Sequence, residues 1–209
     1  MGKHGAGLYI VVEGGETSGK STLSFELARH YRATLTRETG GTSVGAQIRN
    51  ILHDVGNSAL FPLTEALLTG ADRAQHILEV VKLNLDAGRD VVSDRSWVST
   101  VVYQAMARDI DPSDVLRITE IAVGRYKEMD ELIVLDIPWN EYLARQLKKG
   151  RTDRFEAMEA DFHRKVLSGY RTLAHDLGAT VIDACLTPKE IFVIATDGID
   201  KKRPGQHEV

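Results

Sequence analysis

One cysteine, Cys185, stands in 209 residues, which rules out an intrachain disulfide and any zinc site built on cysteine. A lone thiol of this kind reads as a small apolar residue packed after a late strand. Basic charge is also scarce: 26 Lys and Arg against 30 Asp and Glu leave a net charge of −4, too little cationic field to hold a long nucleic acid. Small anionic ligands suit the chain better. No apolar run approaches the roughly 18 residues that cross a bilayer, and Met1-Gly2-Lys3-His4-Gly5-Ala6-Gly7 has no apolar signal core. The sequence therefore points to a cytoplasmic protein without a membrane partner. The seven histidines form no metal cluster, and His76 reads as a packed or hydrogen-bonded helix residue. No Ser-His-Asp order stands out, and no repeat or linker divides the chain.

What is present begins with an ordinary globular composition, 27% charged and 43% hydrophobic, in a chain long enough for one domain over residues 1–209. Its organising stretch is Gly14-Gly15-Glu16-Thr17-Ser18-Gly19-Lys20-Ser21-Thr22, which fits G-x-x-x-x-G-K-[ST]. Leu8 to Val12 before it reads as a buried strand; Leu23, Leu27 and Tyr31 after it recur at helical spacing. Strand, glycine loop and helix thus follow in the order of a phosphate-binding loop. Its N–H groups and helix N-terminus can converge on an anion, Lys20 can reach outer phosphates, and Ser21 can offer an oxygen to Mg²⁺.

Downstream, short apolar strands alternate with helices. Strands are expected near 33–36, 90–95, 132–137 and 180–183, with helices over 155–177 and 188–196 and one or two joined helices over 60–86. Segments near 98–108 and 111–127 are also read as helical, Asn140 opens another helix, and a tail from about 200 to 209 lacks an apolar stripe. The pattern predicts an α/β fold with a parallel sheet and helices on both faces, its ligands gathered beyond the strand C-termini. The phosphate loop, Arg37 and the Asp94-Arg95 pair all fall at such ends and should converge.

The residues resemble the thymidylate kinases, within the P-loop nucleoside monophosphate kinases. The likeness runs from Tyr9 to about Asp183 through the phosphate loop, Thr36 to Thr42, Glu65 to His76, Asp94-Arg95 with Tyr103-Gln104, and Asp153-Arg154-Phe155-Glu156. It implies a three-layer fold with a five-stranded sheet, a lid at about 147–156, a homodimer, and transfer of the γ-phosphoryl group of ATP to dTMP with Mg²⁺. By the same resemblance, Lys20 holds donor phosphates, Ser21 and Asp94 serve the metal, and Arg37 and Arg95 grip the acceptor phosphate. Glu16 lies near the acceptor, with a solvated loop carboxylate as the bland alternative. Arg151 supplies a catalytic cation from the lid, while Lys148 and Lys149 stay open between lid chemistry and a solvated face. Arg145 is open between an adenine contact and a surface ion pair. Arg73, Thr100, Tyr103 and Gln104 surround the nucleoside.

The chain departs from the family pattern at four positions: Thr69 stands for the phenylalanine that stacks on thymine, Ser96 for an aromatic, and Thr39 and Met129 for prolines. The first two thin the base pocket, with Trp97 a possible substitute or a core residue. They raise an alternative substrate, a 5-modified deoxyuridylate such as 5-hydroxymethyl-dUMP. A GTPase-like switch lacks its Asn-Lys-x-Asp guanine reader here, and a non-catalytic nucleotide-binding relative would not need Lys20, Ser21, Arg37, Asp94 and Arg95 together.

Overall fold

The computed structural model of the protein describes residues 7–124, 128–150 and 153–202. The five strands are β1 (Tyr9–Gly14), β2 (Thr34–Arg37), β3 (Val91–Asp94), β4 (Glu131–Asp136) and β5 (Thr180–Asp183). They form one sheet in the order β2-β3-β1-β4-β5, every pairing parallel. Around it lie α1 (Lys20–Tyr31), α2 (Ser43–His53), α3 (Pro62–His76), α4 (Lys82–Asp86), α5 (Trp97–Thr100), α6 (Pro112–Val123), α7 (Trp139–Lys149), α8 (Ala160–Asp176) and α9 (Pro188–Asp200). Because side chains alternate along a strand, Tyr9 and Val11 enter one core with Val81, Val102 and Tyr170, while Ile10 and Val12 enter the other with Leu27, Tyr142 and Ala195. The expected sheet with helices on both faces is what the chain builds.

The stretch read as one or two helices over 60–86 is a single rod. A π-helical turn, Ile77–Val81, joins α3 to α4. A second π-helical segment, Val101–Ala107, continues α5 and carries Tyr103 and Gln104. Such segments recur at functional sites because they re-aim side chains within a helix.

Several boundaries move. The helix expected from Phe155 begins at Ala160, because Asp153 Oδ1 accepts from the Glu156 amide (2.9 Å) and the Asp153 carbonyl from the Ala157 amide (3.0 Å). That turn seats Phe155 in the wall of the cleft and Arg154 against Leu52 and Glu65 instead of placing them on a helix. Helix α6 ends at Val123, before residues 125–127, which lie outside the described part. Helix α9 runs past 196 to Asp200, started by a reciprocal Thr187–Glu190 cap; of the expected tail, 203–209 also lie outside. Cys185 is exposed, not packed; the buried small residue after β5 is Ala184.

Candidate active site

The loop after β1 is shaped by its glycines. A Cβ on Gly14 would stand 2.6 Å from the Leu135 carbonyl oxygen, and Gly19 holds φ +98°, a left-handed conformation that side chains resist. Lys20 Nζ folds back to donate to the Gly15 carbonyl at 2.6 Å. Ser21 Oγ donates to Asp94 Oδ2 at 2.5 Å, so the two candidate metal residues touch. Ser18 is buried within the loop, whereas Thr22 is exposed and does not line the main cleft.

One cleft then joins elements far apart in sequence. Glu16, Thr17, Lys20 and Ser21 meet Arg37 at the end of β2, Asp94 and Arg95 after β3, and Thr69, Arg73, Thr100, Tyr103 and Gln104 from the helical side. This is the convergence expected at the C-terminal edge of a parallel sheet. Arg37 is exposed there, its side chain without a hydrogen bond among the described residues, while Arg49, which the sequence did not single out, lines the same wall. Burial and the neighbouring cations Arg37 and Arg95 hold Arg49 below its ordinary range, the signature of a cleft crowded with positive charge.

On the helical side of the cleft, what the residues can offer is defined by which polar atoms are already used. Arg73 is buried; its Nε donates to Glu38 Oε2 (2.7 Å) and its NH2 to the Ser96 carbonyl (3.2 Å), yet NH1 has no partner. Gln104 Nε2 gives one of its two N–H groups to Glu65 Oε1 at 2.7 Å, which leaves its carbonyl oxygen and one N–H for a ligand. Thr69 spends its hydroxyl proton on the Ala66 carbonyl (2.8 Å) and cannot donate to a base. Trp97 is packed in the core and does not line the cleft, which removes it as a stacking partner. The aromatic that does line it beside Tyr103 is Phe155, edge-on to that ring with centroids 5.7 Å apart.

Around the phosphates, Tyr103 donates a short hydrogen bond to Glu16 Oε1, and Arg95 NH2 lies 3.4 Å from the same oxygen. Burial works to raise the Glu16 carboxyl, but Arg95, Lys20 and the Tyr103 hydrogen bond outweigh it and hold it below the usual carboxylate range. Arg145 lies outside the cleft: Nε pairs with Glu141 (2.7 Å), NH1 donates to the Thr17 carbonyl (3.1 Å) and NH2 to the Ala184 carbonyl (2.8 Å). The ion pair of the second alternative is thus present, and Arg145 in addition clamps the phosphate loop to the segment after β5. In the stretch expected to be a lid, Lys149 pairs with Glu156, Lys148 is exposed, and Arg151 lies outside the described residues. The lid base is anchored: Asp153 Oδ2 is 2.8 Å from His53 Nδ1, and Arg154 NH2 donates to Glu65 Oε2 at 2.5 Å.

The family model described as thymidylate kinase matches residues 12–192. The chain belongs to the thymidylate kinase family. The thymidylate kinase of Nitratidesulfovibrio vulgaris (strain Miyazaki F) is 40% identical over 199 residues, covering 88% of this chain and 92% of its own. That of Desulforapulum autotrophicum is 38% identical over 210 residues (93% and 92%), and that of Caldicellulosiruptor saccharolyticus 34% over 206 (94% and 99%). As a thymidylate kinase the chain is a nucleoside monophosphate kinase, a phosphotransferase. No helix among the described residues is long and apolar enough to cross a membrane.

Sequence reasoning missed Glu13, Glu38, Glu65, Ser99 and Tyr170, all of which hold a cleft residue in place. Glu38 and Glu65 stood inside stretches read as family-like without being given a role, and Glu13 left the signal of an acid closing an otherwise apolar strand.

Proposed function

We propose that this thymidylate kinase transfers the γ-phosphoryl group of ATP to the 5′-phosphate of dTMP, giving dTDP and ADP. The observation that carries the reading is the cleft itself, with the phosphate loop and the Ser21–Asp94 pair at one end, and Arg73 NH1 and the Gln104 carbonyl at the other. A donor facing O4 and an acceptor facing N3–H suit a 4-oxo pyrimidine; cytosine presents the reverse pattern. Between these ends an oxygen of the acceptor phosphate attacks the γ-phosphorus, and the bond to the β,γ-bridging oxygen breaks to release ADP.

Ser21 and Asp94 are hard oxygen donors in contact beside the loop, and they fit Mg²⁺, whose remaining positions phosphate oxygens and water would fill. Bound there, the ion supplies charge neutralisation to the phosphates. Lys20 leaves the Gly15 carbonyl for the donor phosphates, Arg37 and Arg95 hold the acceptor phosphate, and Glu16 with Tyr103 borders the sugar. Arg151 is proposed as the lid cation.

With Mg²⁺ and ATP, dTMP should have the highest kcat/KM among dTMP, dUMP, 5-hydroxymethyl-dUMP, dCMP and AMP, and dCMP should trail by about a hundredfold or more. A clear preference for 5-hydroxymethyl-dUMP would mean instead that Thr69 and Ser96 change the substrate. We also propose a cytoplasmic homodimer. Exposed Leu63 and Leu67 on α3, with Leu78 in the following turn, support a self-association face. Sedimentation should find a dimer that Leu67→Glu weakens, and fractionation should find the activity in the soluble cytoplasm; a monomeric wild type would refute the pairing.

A further inference from the structure

Behind Arg95 lies a carboxylate that the transfer chemistry leaves unused. Glu13 is fully buried beneath the phosphate loop. Its Oε1 accepts from the Ser96 amide (2.7 Å), the Ser96 hydroxyl (2.9 Å) and the Ser99 amide (3.2 Å). Its Oε2 accepts from the hydroxyls of Ser99 (2.7 Å) and Tyr170 (3.1 Å). Those same two hydroxyls receive Arg95 NH1, at 3.1 and 2.7 Å.

The proton directions are forced. A carboxylate only accepts and a guanidinium only donates, so the Ser99 and Tyr170 protons run toward Glu13 and their lone pairs toward Arg95. Each hydroxyl has one proton and spends it on Glu13, so the Ser99 and Tyr170 oxygens, 2.8 Å apart, stand side by side without a proton between them. Arg95 is consequently held unevenly. NH1 has three protein acceptors at 2.7–3.2 Å, the Gly14 carbonyl included, whereas NH2 has only long contacts of 3.4 Å to Glu16 and Tyr103. One nitrogen is the anchor, and the other is left to a ligand. The backbone needs the same support, because Arg95 has φ +79° and the next amide, Ser96 N–H, is pinned by Glu13. Ser96, where the family has an aromatic, adds its hydroxyl to this carboxylate.

We propose that Glu13 is a positioning residue: through the Ser99 and Tyr170 hydroxyls it fixes the direction of the Arg95 guanidinium, leaving NH2 aimed at the acceptor phosphate. This rests on the assignment of Arg95 to that phosphate. Glu13→Gln keeps the shape but must turn one donor edge inward. Facing the Ser96 and Ser99 amides, that edge would leave two buried N–H groups unpaired, so it faces the hydroxyls instead and draws their lone pairs away from Arg95.

The test is steady-state kinetics of Glu13→Gln, Tyr170→Phe, Arg95→Ala and Glu13→Gln/Arg95→Ala, each checked for folding by thermal melting. Glu13→Gln should raise KM for dTMP about tenfold with KM for ATP within about twofold of wild type, and Tyr170→Phe should shift the same constant in the same direction by less. Combined with Arg95→Ala, the Glu13 change should add no further loss, because it acts through the missing guanidinium. Additive losses, or equal rises in both KM values, would overturn the proposal and leave Glu13 a structural residue. Should Glu13→Gln fail to fold, Tyr170→Phe, alone and in the Arg95→Ala background, decides by the same criteria. A crippled Arg95→Ala beside unaffected Glu13→Gln and Tyr170→Phe overturns the positioning role alone. A folded Arg95→Ala with near-normal dTMP kinetics overturns the assignment of Arg95 beneath it.

Discussion

Arg95→Ala should yield a folded protein whose kcat/KM for dTMP falls about a thousandfold, the scale seen when a preorganised cation or donor is removed from a phosphoryl-transfer site. The loss is large because Arg95 has no substitute in place. Arg37 lines the same cleft, but it is exposed and no hydrogen bond from the described residues fixes its guanidinium, so orienting it takes side-chain entropy when a ligand arrives. Arg95 instead has NH1 bonded to the Gly14 carbonyl, Ser99 and Tyr170, and its guanidinium carbon sits 5.4 Å from the centre of the Tyr103 ring. Arg95→Lys should recover little, since an ammonium cannot span those acceptors and a phosphate together. Near-normal turnover by a folded Arg95→Ala protein, measured by coupled ADP release, would refute the acceptor-phosphate role.

The contrast between Arg37 and Arg95 also marks the limit of what the sequence made legible. The glycine loop, the strand ends and the helical stripes follow local rules of spacing and propensity, so the five parallel strands and the residues at their C-terminal ends could be read in advance. Whether an arginine is anchored or loose depends on residues about 75 to 80 positions away, such as Tyr170 and Glu16, and no local pattern carries that. Gln104 shows the same effect in reverse. Its amide nitrogen was available on paper, but Glu65, itself paired with Arg108 and Arg154, takes one of its two N–H groups and fixes the amide. The start of α8 was misread because Phe155 has an apolar residue's place in a helical stripe, while the Asp153 turn takes precedence and sends it into the cleft.

On the proposed dTMP reading, this division of labour bears on the absence of the expected aromatic at Thr69. The polar atoms that read a pyrimidine edge are fixed from behind: Arg73 by Glu38, which His76 also contacts at 2.9 Å, and Gln104 by Glu65. Edge recognition by these atoms should survive, because their placement depends on the buried carboxylates rather than on a ring above. What Thr69 gives up is stacking, on the order of 1–3 kcal/mol for a base on an aromatic face elsewhere. Phe155 lines the same cleft and supplies apolar surface from the lid side. The cost should therefore appear in KM for the nucleotide more than in discrimination between bases.

Lys20→Ala should remove most turnover, lowering kcat by about a thousandfold while the protein still melts cooperatively. Unlike the arginines, Lys20 can also lose its charge within reach of ordinary buffers. Burial first, and the Arg95 cation second, push its ammonium down to about 8 from 10.5, against the pull of Asp94, Glu16 and Glu13. Between about pH 8 and 10.5 the unfolded chain thus binds more protons at this residue, so its contribution to stability grows as pH rises through that window. Binding runs the other way. Donor phosphates need the ammonium, so KM for ATP should climb with pH above about 8, approaching tenfold per unit, while the fold itself is not weakened by this group. The Lys20→Ala protein should show no such climb. A pH-independent KM for ATP in the wild type up to pH 10, or a parallel climb in Lys20→Ala, would remove Lys20 as the titrating cation of the phosphate loop.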